Sequence, residues 1–140
     1  MYSISKEFSI EYGHRLQLPY ESQCKNIHGH SARIIIKVGA HALNNESMIV
    51  DFSELKDFQK TIEDMFDHAL ILNGNDPFVK LLEKYTKIHT LNSEPTAEAL
   101  ANYISHLLTA FLDVRNIIFA RTEVTFYETA KNCASFTYHR

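Results

Sequence analysis

From residue 4 to residue 16 the side chains alternate. Phe8, Ile10, Tyr12, His14 and Leu16 share one parity, and Ser9, Glu11, Gly13 and Arg15 share the other. A period of two predicts a half-buried strand. Residues 30–39 repeat it, with Ala32, Ile34, Ile36 and Val38 on one face and Arg33 and Lys37 on the other. The period then lengthens. Leu55, Phe58, Ile62, Met65 and Phe66 recur at helical spacing. The helix they predict opens at Asp51, where Asp51 and Glu54 have the form of a capping box and Val50 can staple against Leu55. It closes at Asp67-His68. Ala69–Leu72 reads as a short extended segment, Asn73–Pro77 as turn chemistry, 77–84 as a short helix and Thr86–Leu91 as a minor strand. A second long helix spans 96–112, capped by Thr96 and striped by Leu100, Tyr103, Ile104, Leu107, Leu108, Phe111 and Leu112. Residues 117–128 read as a long strand with Val124, Phe126 and Glu128 on one face. Residues 130–132 turn, and 133–139 form the last strand. The order β-β-α-(α)-α-β-β predicts an α+β fold, a four-stranded antiparallel sheet with helices on one face.

Composition narrows the function classes. The chain has 140 residues, 45% of them apolar, with no repeat or linker, so one domain spanning 1–140 with a sizeable core is expected. Fourteen basic residues against 17 acidic give a net charge of −3, with no basic surplus for nucleic acid. No apolar run approaches the roughly 20 residues of a membrane span. The N-terminal residues lack an apolar signal core and two cysteines are too few for a disulfide framework, so a cytoplasmic location is expected.

The unusual residue is histidine, of which there are eight. His28 and His30 are two apart on a strand, so both rings leave on one side, roughly 6.5 Å apart at Cα. Gly29 between them lets the backbone approach a ligand closely. By parity they continue the Ala32–Val38 face, and His14 continues the Phe8–Tyr12 face. If the two strands pair, three imidazoles meet on the inner face. Three neutral imidazoles leave a zinc ion its full charge and one open position, which is the pattern of a catalytic site. His41, His89, His106, His139 and Cys133 carry no such pattern and are read as structural or surface residues.

Six motifs in order then resemble one family. Cys24–His30 has the form C-x-x-x-H-G-H. Tyr12–Leu16 resembles F-S-x-x-H-R-L, Met48–Phe52 with Leu55-Lys56 resembles M-V-x-D-F…L-K, and Phe66–His68 resembles L-D-H. Pro95–Glu98 resembles P-T-x-E, and Glu128-Thr129 with Ala134 and Phe136 resembles E-T-x-x-x-x-A-x-Y. Together they are similar to the 6-pyruvoyl- and 6-carboxy-tetrahydropterin synthases, enzymes of the tunnelling fold. Phe8 lies six residues before His14 where the family has four, and Phe136 stands for the closing tyrosine. The three residues between Cys24 and His28 match the bacterial 6-carboxy enzymes of queuosine biosynthesis, whereas the 6-pyruvoyl enzymes have five.

The resemblance implies a zinc-dependent lyase. Its substrate would be 7,8-dihydroneopterin triphosphate and its products 6-carboxy-tetrahydropterin, acetaldehyde and triphosphate. His14, His28 and His30 would hold zinc. Cys24 would be a general base, in keeping with the stabilisation of a thiolate by a nearby cation. His68 would exchange a proton with the substrate side chain while Asp67 fixes its tautomer. Glu128 would anchor the pterin by accepting from its 2-amino and N3–H groups, and would join the proton relay. Thr96 and Glu98 are weaker candidates for substrate contact, since both suit a helix start. No nicotinamide or flavin is implied, in line with the lack of a Gly-rich dinucleotide loop. The alternatives are a 6-pyruvoyl product, a 6-hydroxymethyl product and a non-catalytic zinc-dependent pterin binder. The family's assembly further implies a homo-hexamer with sites between subunits, Glu128 facing a neighbour's zinc.

Overall fold

A computed structural model describes residues 1–140. The elements run β1 (Tyr2–His14), a 3-10 turn (Gln23–Lys25), β2 (His28–Ala40), α1 (Phe52–Phe66), β3 (Ala69–Asn73), α2 (Phe78–Leu82), β4 (Ile88–Leu91), α3 (Ala97–Val114), β5 (Arg121–Tyr127) and β6 (Cys133–His139). The α+β class is as expected. The sheet, however, has six strands in the order β4-β3-β1-β2-β5-β6 instead of four. β3 and β4 join it in parallel pairings that extend the antiparallel set formed by β1, β2, β5 and β6. Ala69–Leu72 are all buried, as a strand covered on both faces should be.

The parity of β1 and β2 sets the core. Phe8, Ile10 and Tyr12 of β1, Ala32 to Val38 of β2, and Val124 and Phe126 of β5 point to one face, and α1 and α3 cover it with Leu55, Phe58, Ile62, Leu100, Ile104 and Leu108. Asp51 caps α1 by accepting from the Ser53 N–H at 2.8 Å. The reciprocal half of the expected capping box is not made, because the Glu54 carboxylate lies toward Arg115 instead, 3.7 Å away. Val50 and Leu55 both enter the core, as the staple requires. β5 is shorter than its sequence pattern suggested. Residues 117–120 lead into it irregularly, with Phe119 buried, and Glu128 falls one residue past its end, its N–H donating to the Asn132 carbonyl at 3.1 Å to close the β5–β6 turn. No helix is long and apolar enough to cross a membrane.

Candidate metal centre and active site

The site lies where β1 ends and β2 begins. These strands pair in the register Tyr12↔His30, Gly13↔Gly29 and His14↔His28, so His14, His28 and His30 emerge together on the core face. One ring nitrogen from each lies within 4.8 Å of the others. Two of the rings are fixed in tautomer by the backbone. His14 Nδ1 donates to the Pro95 carbonyl at 2.8 Å, and His28 Nδ1 donates to the Asn26 carbonyl at 2.7 Å. With hydrogen on Nδ1, the neutral rings present lone pairs at Nε2. Yet His14 Nε2 and His28 Nε2 face each other at 3.1 Å. Two lone pairs cannot bond to one another, but they can share a cation. Nitrogens about 2.0–2.1 Å from a tetrahedral ion stand about 3.3 Å apart, so the observed spacing fits.

Glu128 adds negative charge. Its Oε1 lies 3.2 Å from both His14 Nε2 and His30 Nε2. The contact with His30 lacks hydrogen-bond alignment, and His30 Nε2 is a buried atom with no hydrogen-bond partner. Burial lowers the pKa of both His14 and His30, outweighing the bond to the Pro95 carbonyl at His14 and the charge of Glu128 at both. The rings are therefore held neutral, the state in which imidazole binds a metal. The donor set is suited to a divalent cation. Glu128 Oε1 reaches the triad of its own chain.

Asp67 and His68 sit on the rim. A cavity of about 690 Å³ is lined by His28, His30 and His68, with Tyr12, Gly13 and Gly29 on its floor. His68 Nδ1 lies 3.0 Å from Asp67 Oδ2, and Asp67 Oδ1 accepts from the Glu11 N–H at 2.8 Å. Sequence neighbours meet in this way because the chain turns sharply after α1. His68 has φ +56°, in the left-handed region, and its N–H donates to the Glu11 carbonyl at 2.6 Å. The Glu11 N–H, and then His68, hold the Asp67 carboxyl below the usual range despite partial burial. The imidazole itself is largely exposed.

The remaining sequence candidates are placed as follows. Cys24 is half-buried on the 3-10 turn and does not line the cavity. Its carbonyl accepts from the Leu16 N–H at 2.8 Å, which ties the turn to the residues just after His14. Thr96 caps α3, accepting from the Ala99 N–H at 3.1 Å, and Glu98 is exposed in the first turn. Both therefore carry the helix-start role that their spacing also allowed. Arg15 is engaged by Asp76, Nε to Oδ2 at 2.7 Å and a terminal nitrogen to Oδ1 at 2.6 Å, and stacks on Phe78.

Tyr12, to which the sequence analysis assigns no site role, also lies beside the triad. It is 4% exposed, its ring packs against His14, His30 and Phe126, and its hydroxyl has no hydrogen-bond partner. Burial, and then the charge of Glu128, raise its pKa, so the phenol stays protonated. Its parity with His14 and its place two residues before that ligand are the signals in the sequence that place it here.

The family model described as 6-pyruvoyl tetrahydropterin synthase matches residues 3–139. The chain belongs to that family. As a member of the 6-pyruvoyl tetrahydropterin synthase family it has relatives named 6-carboxy-5,6,7,8-tetrahydropterin synthase. One from Aquifex aeolicus is 32% identical over 157 residues, covering 96% of this chain and 97% of the relative. One from Rickettsia conorii is 31% identical over 137 residues, covering 95% and 97%. Among solved structures, the Plasmodium falciparum 6-pyruvoyl tetrahydropterin synthase superposes with a TM-score of 0.81 at 20% identity, covering 99% of this chain and 98% of that one. The Caenorhabditis elegans 6-pyruvoyl tetrahydropterin synthase gives 0.69 at 24% identity, covering 99% and 95%. These structures support the fold. The family and the relatives together place the chain among enzymes that make tetrahydropterins.

Proposed function

We propose that the chain is a zinc-dependent lyase that converts 7,8-dihydroneopterin triphosphate and one water to 6-carboxy-5,6,7,8-tetrahydropterin, releasing acetaldehyde and triphosphate, and that it serves queuosine biosynthesis. The observation that carries the metal reading is the 3.1 Å approach of two Nε2 atoms whose Nδ1 partners are both backbone carbonyls. The 6-carboxy names of the relatives, and the three-residue gap between Cys24 and His28, support the product.

His14, His28 and His30 would hold the zinc. When bound, the ion would supply Lewis acidity toward the hydroxyls of the substrate side chain. Glu128 binds the pterin, accepting from its 2-amino group and N3–H in a paired contact. His68 exchanges a proton with the substrate side chain, and Asp67 keeps the hydrogen on Nδ1 so that Nε2 is free to accept. Cys24 removes the proton where the side chain joins the ring. The ring reaches its tetrahydro state by internal proton shifts, so no separate reductant is consumed. The exposed His68 and the unpaired edges of β4 and β6 support association with further subunits, and the family resemblance makes that assembly a homo-hexamer with sites between subunits.

The test is a product assay on purified protein given 7,8-dihydroneopterin triphosphate, with zinc counted per chain. Acetaldehyde with one zinc per chain is the expected result. A 6-pyruvoyl or 6-hydroxymethyl product would move the chain to another branch of the family, and bound but unaltered pterin would make it a binder. Protein that takes up no zinc would refute the metal reading.

A further inference from the structure

His14 is aimed by a carbonyl, and that carbonyl is itself held. Pro95 lies on the segment between β4 and α3, and the residue before it is Glu94. Glu94 Oε1 accepts from the Gln17 N–H. Its Oε2 accepts from Asn73 Nδ2 at 2.6 Å and from Gln17 Nε2 at 3.3 Å. On the main chain, the Glu94 carbonyl accepts from the Thr96 N–H at 2.9 Å, so Pro95 sits at the apex of a tight turn closed by that bond. Gln17 follows His14 by three residues, and Asn73 closes β3. One carboxylate thus gathers donors from the end of β1 and the end of β3, and the peptide beside it meets His14 Nδ1. Only an acceptor-only group can serve three N–H donors in this way.

We propose that Glu94 is a positioning residue of the metal centre. By tying Gln17 and Asn73 together it sets the Pro95 carbonyl against His14, which fixes the ring and directs the Nε2 lone pair at the cation. Partners of this outer kind orient ligands and typically alter metal affinity by roughly 10- to 100-fold when removed. The proposal rests on the zinc reading given above. It uses no ionisation change of Glu94 or His14.

The polarity of the network supplies the test. In Glu94→Gln, the amide oxygen can still accept from the Gln17 N–H, but the amide nitrogen then faces Asn73 Nδ2 and the more distant Gln17 Nε2, donor against donor; Gln17 Nε2 keeps its other acceptor, Asn75 Oδ1 at 2.8 Å, whereas Asn73 Nδ2 loses its partner. Asn73 cannot simply flip, because its Oδ1 already accepts from the Asn75 N–H at 3.2 Å. Adding Asn73→Asp reverses that contact, so that the new amide nitrogen at position 94 donates to a carboxylate which also keeps the Asn75 bond. Zinc affinity would be measured by chelator competition, and ligand geometry by the visible absorption of the Co²⁺-loaded protein. Glu94→Gln should weaken zinc by about tenfold and shift the Co²⁺ bands, and the double variant should recover both.

Ile62→Val, which trims the core far from the site, should lose stability without either change. If Glu94→Gln fails to fold, Asn73→Ala, which removes one donor and leaves the carboxylate, should weaken zinc in the same direction. The proposal is overturned if affinity in Glu94→Gln, or in Asn73→Ala where that variant must replace it, stays within about twofold of the parent with unmoved Co²⁺ bands. It is equally overturned if Asn73→Asp fails to rescue, or if Ile62→Val weakens zinc as much. A parent protein that binds no zinc would remove the cation reading first, and this proposal with it.

Discussion

Replacing Asp67 by Asn tests the proton relay with little disturbance to the fold. The side chain keeps its size, and an amide oxygen can still accept from the Glu11 N–H, now made at 2.8 Å. The second contact cannot survive. Asp67 Oδ2 lies 3.0 Å from His68 Nδ1, and in the variant an NH₂ group takes its place. A donor there forces the lone pair onto Nδ1 and the hydrogen onto Nε2, the tautomer opposite to the one a proton acceptor needs. Because the pair is solvent-exposed, the stability cost should be under about 1 kcal/mol. The chemical cost should be far larger. Positioned acid–base groups contribute roughly 10²- to 10⁴-fold, and a wrong imidazole tautomer in a comparable dyad costs the upper end of that range. The expectation is a loss in kcat of at least about 100-fold, or about 2.7 kcal/mol, with KM for 7,8-dihydroneopterin triphosphate, zinc content and melting temperature nearly unchanged. Steady-state acetaldehyde release alongside calorimetry would measure this. A variant retaining a third or more of the parental kcat, at about the parental melting temperature, would refute the assignment of His68 as the proton-exchanging group.

Three further outcomes follow from the geometry. Asp76 is buried, and although burial opposes its ionisation, Arg15 and the Phe78 N–H outweigh that and hold its carboxyl below the usual range. A depressed folded pKa stabilises above the unfolded value of about 3.9 and is lost as pH falls through the folded one. Asp76→Asn should therefore cost roughly 2 kcal/mol at pH near 7, and the gap to the parent should narrow below about pH 4 in urea titrations; a gap independent of pH would contradict this. Cys24→Ala should keep zinc and fold but lose turnover, and full activity in the product assay would remove Cys24 as the base. Tyr12→Phe deletes a buried hydroxyl that lacks a partner, so metal-free protein should gain about 1 kcal/mol, seen as a melting temperature higher by about 3 °C; a lower one would mean the hydroxyl is satisfied in solution.

The triad was legible because strand parity is a strict rule. Once His14 shares a face with Tyr12 and His28 shares one with His30, antiparallel pairing of the two strands leaves the three rings little choice. Asp51 and Thr96 were legible as caps for the same local reason. What escaped was set at long range. The short runs Ala69–Leu72 and Thr86–Leu91 read as extended, but nothing in four to six residues says which strand they join or in which direction. Asp76 and Asn73 lie in a segment whose composition is fully explained by turn formation, so their bonds to Arg15 and Glu94 left no separate mark. Glu94 carries no periodicity or motif, because its partners are 77 and 21 residues away along the chain.

Under the proposed proton-exchange role of His68, its left-handed backbone sets heat tolerance against turnover. Left-handed geometry costs an ordinary side chain roughly 1–2 kcal/mol, and glycine escapes that cost. A laboratory selection that rewarded thermal resistance alone would thus drift toward His68→Gly, the substitution that discards the imidazole. A screen seeking hardier variants should hold position 68 constant.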